Sequence, residues 1–89
     1  MEKTKVWRIY TENKNKDRVV DLVKKYFSGF TVFEATGVWQ SMGEKSLVLE
    51  IIHHDPLWKD FESLCQEIKE LNNQKSVLLT CQVLLVGAI

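Results

Sequence analysis

FTVFEATGVWQ at residues 30–40, SMG at 41–43 and EKSLVLEIIH at 44–53 form the stretch whose reading decides the fold. Phe30, Thr31, Val32, Phe33, Val38 and Trp39 are β-branched or aromatic, the side chains that suit a pleated, half-buried surface. In the return segment Leu47, Leu49 and Ile51 alternate with Val48 and Ile52, so both parities are apolar. Ser41-Met42-Gly43 reads as a short hairpin connection between the two strands. Gly37, inside the first strand, predicts a bulge or a close approach by another group. Glu34 fits an exposed edge position. Glu50 lies on a strand expected to be central, where a bond across a subunit interface would offset its burial.

Working outward, Lys5 to Glu12 reads as a strand, with Val6, Arg8 and Tyr10 on one parity and Trp7, Ile9 and Thr11 on the other. The polar turn from Asn13 to Asp17 supplies a helix cap, Asn15 or Asn13. Val19, Val20, Val23, Tyr26 and Phe27 follow at helical spacing, with an end expected near Ser28-Gly29. Beyond the hairpin, Asp55-Pro56 marks a second helix start. Leu57, Trp58, Phe61, Leu64, Cys65, Ile68 and Leu71 make its apolar stripe, and Asn72-Asn73 ends it. Ser76 to Val86 is the last strand. The order strand, helix, strand, strand, helix, strand predicts one domain over 1–89, an α+β ferredoxin-like two-layer sandwich. Its first and third strands should be central, flanked by the fourth and the second.

Two helices roof only one face of a four-stranded sheet, yet all four strands are apolar on both faces. A sheet face half covered with water normally alternates apolar and polar residues. Large contiguous apolar patches are rare on monomers. The pattern therefore predicts a closed oligomer packed sheet against sheet; a monomer whose tail shades the face is the competing account.

Composition narrows the partners. Twelve basic and twelve acidic residues cancel, which gives no general attraction to nucleic acid or to an anionic membrane. Lys14, Lys16, Arg18, Lys24 and Lys25 cluster early and read as a solvated face. The longest apolar run, Val83 to Ile89, is too short to span a bilayer, and Met-Glu-Lys-Thr-Lys lacks the apolar core of a signal peptide. Cys65 and Cys81 are expected as buried reduced thiols in a cytoplasmic protein. No paired cysteine spacing points to a metal, and no motif points to a cofactor or a catalytic group.

The candidate binding residues lie around the hairpin. Trp39 offers an aromatic face for a base or a cation, and Glu44, just across the connection, a carboxylate for a positive group. Packing and an exposed turn explain the same pair without a ligand. Tyr10 and Thr11 end the first strand and are expected at the same rim. Gln74, after the second helix, either faces that cleft or serves the helix terminus. In His53-His54-Asp55 the adjacent histidines of a strand point to opposite faces, so a solvated loop accounts for them better than a shared ion.

The stretch from Gly29 through Trp39, continued by Glu44 to Leu49, resembles the PII-like superfamily. Those small trimeric proteins carry a Gly-x-Thr-Val strand, a glycine near its far end and an apolar return strand. The resemblance implies a homotrimer with inward-facing sheets and ligands in the clefts between subunits. Ser41 to Gly43 is a short turn where PII signalling proteins have an extended loop. More narrowly, Thr36-Gly37-Val38-Trp39 and Glu44-Lys45-Ser46 are similar to a segment of phage S-adenosylmethionine lyases, which have tyrosine where Trp39 stands. A set of small uncharacterised bacterial and phage proteins shares the Thr-Gly-x-Trp pattern. These likenesses carry Thr36 and Gly37 into the candidate site. Together they imply a protein, regulatory or sequestering and of bacterial or phage origin, that binds a small metabolite or nucleotide without turnover. The rivals are a lyase acting on S-adenosylmethionine and a structural module whose apolar face meets another protein.

Overall fold

A computed structural model describes residues 1–53 and 58–89. Its elements are β1 (Glu2–Glu12), α1 (Lys16–Lys24), β2 (Thr31–Trp39), β3 (Met42–His53), α2 (Trp58–Asn72) and β4 (Leu78–Val86). The sheet order is β2-β3-β1-β4 with every neighbouring pair antiparallel, so the first and third strands are central as expected. The expected helix start at Asp55-Pro56, with His54 and Leu57, lies outside the described residues.

Register decides which parity meets the helices. Trp7 opposes Ile51, and Ile9 lies between Leu49 on β3 and Leu79 on β4. These side chains pack with Val19 and Val23 of α1 and Phe61, Leu64 and Ile68 of α2 into one core. Phe61 is its keystone: its ring lies 4.4 Å from Trp7 and 4.8 Å from Phe27, stacked on both. The opposite parity, with Val6, Arg8 and Tyr10 on β1, forms a face that no helix covers. On that face Phe33, Ile52 and Leu78 are 43%, 49% and 59% exposed. The uncovered face is not wholly apolar, because Arg8 and Glu50 oppose one another there and form an ion pair at 2.9 Å. Glu50 therefore has a partner within its own chain. The bond holds the guanidinium proton more tightly than usual.

Several local expectations are revised. The hairpin connection is Gln40-Ser41, not residues 41–43, since Trp39 already pairs with Met42. Both turn residues have positive φ, 50° and 64°, the two-residue turn whose twist matches the strands. Gly37 makes no bulge, because register runs unbroken from Thr31 to Trp39. It is instead a close approach: a Cβ there would sit 3.3 Å from Ser46 Oγ and 3.4 Å from Glu44 Cγ. The first helix stops at Lys24, and residues 25–27 tighten into a turn in which Phe27 N–H donates to Val23 at 2.9 Å. That turn swings Phe27 into the core, ahead of the expected Ser28-Gly29 end.

Asn15 occupies the helix cap position but in a left-handed conformation, and its side chain makes no cap bond. It donates instead to Asn72 at 3.1 Å. Cys65 is half-buried, and Cys81 is exposed, not buried as expected. The reason is position: β4 is an edge strand whose helix-side residues Cys81, Val83 and Leu85 run out past the roof. Burial pushes the Cys65 thiol up to about 11. The early lysines are largely paired, Lys14 with Glu12, Lys16 with Glu34 and Lys25 with Glu67. Among the described residues, no helix is long and apolar enough to cross a membrane.

Candidate functional site

The carboxy-terminal end of β1 lies at one end of the sheet, where three other parts of the chain meet it. Continuous pairing of β2 with β3 carries Trp39 beside Met42 and Gly37 beside Glu44. On the other flank, Tyr10 pairs with Leu78 of β4. The loop after α2 completes the enclosure. Tyr10, Trp39, Glu44, Gln74, Lys75 and Leu78 all line the resulting depression, whose volume is about 600 Å³.

Four of the six candidate residues thus converge on one concavity. Gly37 borders it indirectly, because its missing Cβ leaves room for the Glu44 side chain, whose Oε1 would lie 3.5 Å from such an atom. Thr36 is placed elsewhere. It opposes Lys45 rather than Glu44, so its side chain leaves the strand on the other face. The narrow likeness that brought it in reads residues along the chain, whereas the pleat separates neighbours.

Gln74 is present at the rim, but its amide is occupied. The carbonyl oxygen accepts from Thr11 Oγ1 at 2.5 Å and from Asn72 Nδ2 at 2.8 Å, and Nε2 donates to the Ser76 carbonyl at 3.1 Å. Asn72 is 4% exposed and also receives the Asn15 amide. The network ties the start of α1 and the end of β1 to the end of α2. It rests on a helix terminus in which Asn73 is left-handed and Gln74 N–H donates to the Lys69 carbonyl at 3.0 Å, a Schellman arrangement. Gln74 is accordingly a wall of the depression, held rigid from behind. Asn72 and Asn15 were read from the sequence only as helix terminators; nothing in their spacing showed that they would bond across 57 residues.

Charge is unevenly distributed around the concavity. Lys14 is engaged by Glu12 at 3.0 Å. Glu44 and Lys75, by contrast, have no hydrogen-bond or ion-pair partner among the described residues. Trp39 is 69% exposed, with its ring unpacked. A free carboxylate, a free ammonium and an open aromatic face are groups that a ligand can engage without first breaking a bond. Among the described residues, no cluster of three or more histidine, cysteine, aspartate or glutamate side chains could hold a metal ion.

A larger groove of about 860 Å³ follows the flank of α2 toward β4 and includes Trp58, Cys65, Val77 and Leu79. It also borders Lys75, but its carboxylates are engaged. Glu67 accepts from Lys25 at 2.7 Å and from the Tyr26 hydroxyl, and Glu62 accepts from the Trp58 indole at 2.5 Å. The Lys25 ammonium, then Tyr26, hold the Glu67 carboxyl below its ordinary range, and the same carboxylate raises the Tyr26 phenol. Size favours this groove; the free Glu44 carboxylate and the open Trp39 ring favour the smaller depression, which shares Lys75 with it.

No family model matches the chain, and no curated protein does. Solved structures do. A DUF3240 family protein from Shewanella baltica OS155 aligns over 100% of this chain and 98% of its own, at 16% identity and a TM-score of 0.69. CPII, a nitrogen regulatory PII-like protein from Thiomonas intermedia K12 bound to ADP, AMP and bicarbonate, aligns over 99% and 97%, at 14% identity and a TM-score of 0.65. A phage SAM lyase in its apo state aligns over 93% and 86%, at 20% identity and a TM-score of 0.57. Likeness at such identities is likeness of fold. The chain has the ferredoxin-like architecture of PII-like proteins.

Proposed function

We propose that this PII-like fold binds a small metabolite or nucleotide-like molecule, without turnover, in clefts between the subunits of a homotrimer. The observation that carries the reading is the convergence of Tyr10, Trp39, Glu44 and Gln74 on one depression at the margin of an uncovered, largely apolar sheet face. Copies packed over that face would remove Phe33, Ile52 and Leu78 from water. At about 25 cal/mol per Å² of apolar area, that burial is the driving force for assembly. The same packing would turn an open depression into a walled cleft, which is how concave ligand sites commonly arise. CPII, with its bound nucleotides and bicarbonate, supports the class of ligand.

A cytoplasmic regulator or sequestering protein fits this design, since neither role requires a positioned general acid, base or nucleophile. Native mass spectrometry of protein purified from cells tests the reading by reporting subunit number and any retained small molecule together. A trimer carrying a ligand is expected. Trp39→Ala and Glu44→Gln should then weaken binding while leaving the trimer intact; loss of assembly in either variant would make these residues packing contacts.

The lyase reading is favoured by one observation, the adjacency of Gly37 and Glu44 across the hairpin within the stretch similar to phage enzymes. Incubation with S-adenosylmethionine, followed by chromatography, separates the two readings. No consumption is expected, and steady consumption would replace binding with catalysis.

A further inference from the structure

Glu44 and Lys75 lie on opposite sides of β1. Glu44 is on β3, one strand to one side, and Lys75 is in the loop leading into β4, one strand to the other. Two strand spacings of about 4.8 Å separate the two flanks of β1 by roughly 10 Å, and both residues line the depression between them. Between them lie Tyr10 and Leu78, which pair across β1 and β4, while Trp39 adds an aromatic wall near the Glu44 end. The remaining charged pair of the depression, Glu12 and Lys14, is self-neutralised at 3.0 Å. What is left is one negative and one positive group separated by an apolar and aromatic floor.

We infer that the depression takes an amphoteric ligand, cationic at one end and anionic at the other, with an apolar or aromatic body of several ångströms between. The inference rests on the proposed binding site and names the class of molecule that it fits. The cationic end meets Glu44 and the Trp39 ring, which attracts a cation by its quadrupole. The anionic end meets Lys75. An α-amino acid head group alone is too compact to reach both. A nucleoside diphosphate alone would bring two or three negative charges to a depression with one free cation and one free carboxylate, and the latter would repel it.

The test uses the full chain and four probes: 4-(aminomethyl)benzoate, benzylamine, benzoate and ADP. Calorimetry, or ligand-observed NMR at millimolar concentration, gives the affinities, and the indole signals of the protein report on Trp39. The two-ended probe should bind about threefold to fivefold more tightly than either one-ended relative, the factor that an exposed ion pair supplies. Glu44→Gln should reduce its affinity to that of benzoate, and Lys75→Met to that of benzylamine. Equal affinities for the three aromatic probes would overturn the inference. ADP binding that perturbs Trp39 and tightens in Glu44→Gln would also overturn it, yet leave the site itself standing. Binding of any probe with no change at Trp39 would remove the site and the inference together.

Discussion

Trp7, Ile9, Leu49 and Ile51 on the helix side of the sheet are at most 7% exposed, while Phe33, Ile52 and Leu78 on the other side stand at 43%, 49% and 59%. The first set stands on the central strands β1 and β3 and the second on β2, β3 and β4, and the two are chemically alike. They differ in what lies above them, two amphipathic helices over one and no described element over the other, and in position across the sheet, since Val6 and Val48 on the uncovered side of the two central strands are only 2% and 8% exposed. Hydrophobic burial is non-directional, so identical residue types on alternate positions cannot say which parity the helices take. The uncovered side also holds the Arg8–Glu50 pair at its centre, with 35% and 19% of the two side chains exposed. A pair so placed costs desolvation when another surface closes over it, and in exchange it favours one relative placement of the copies.

Removing a side chain from the sealed face should have the largest effect. Phe61→Ala deletes the ring stacked between Trp7 and Phe27 and should cost about 3–5 kcal/mol. Small domains are stable by roughly 5–15 kcal/mol in total, so urea denaturation should show a midpoint sharply lowered or a chain largely unfolded. A shift under about 1 kcal/mol would mean that the core is not organised around this residue.

On the uncovered face the expectation reverses. Ile52→Asp should leave the thermal midpoint of the isolated chain nearly unchanged, because surface substitutions usually fall within about 0.5 kcal/mol. It should instead dissociate the proposed trimer, so that light scattering reports 10.4 kDa. An unaltered oligomer would show that the contact lies elsewhere.

The two thiols sharpen the same contrast at the edge of the roof. A thiol titrating near 11 is thiolate to about one part in a thousand at pH 8, and the thiolate is the reactive form. Cys65 should therefore react with iodoacetamide about a hundredfold more slowly than exposed Cys81, as peptide mass spectrometry would show. Comparable rates would mean that the α2 flank opens readily. The smallest effect is expected at the hairpin turn. Replacing Gln40-Ser41 with Asn-Gly, the pair that best tolerates left-handed backbone at both turn positions, should stabilise by about 1 kcal/mol, a rise of roughly 4–8 °C in Tm. A fall would show that those side chains do more than close the turn.

Element order and the central position of β1 and β3 were legible because period-two and period-3.6 patterns are local. The convergence of Tyr10, Trp39 and Glu44 was partly legible, since a hairpin brings its own neighbours together. The engagement of Gln74 was only partly so, because Thr11 and Asn15 lie far along the chain from Asn72 and Gln74 and meet them only in the folded molecule. Thr36 stands apart from that cluster for a related reason: adjacency along a strand is opposition across the sheet. Cys81 looked buried because it lies inside a largely apolar strand, and only the edge position of β4 exposed it.

The amino-acid pattern by itself determined the elements, their succession and the excess of apolar surface over what two helices cover, since each depends on side-chain chemistry read over a few residues. The tertiary structure alone decided which parity is sealed, which polar groups are spent on one another and which, Glu44 and Lys75, remain available. Those outcomes depend on register and docking between distant segments, and no local spacing encodes them.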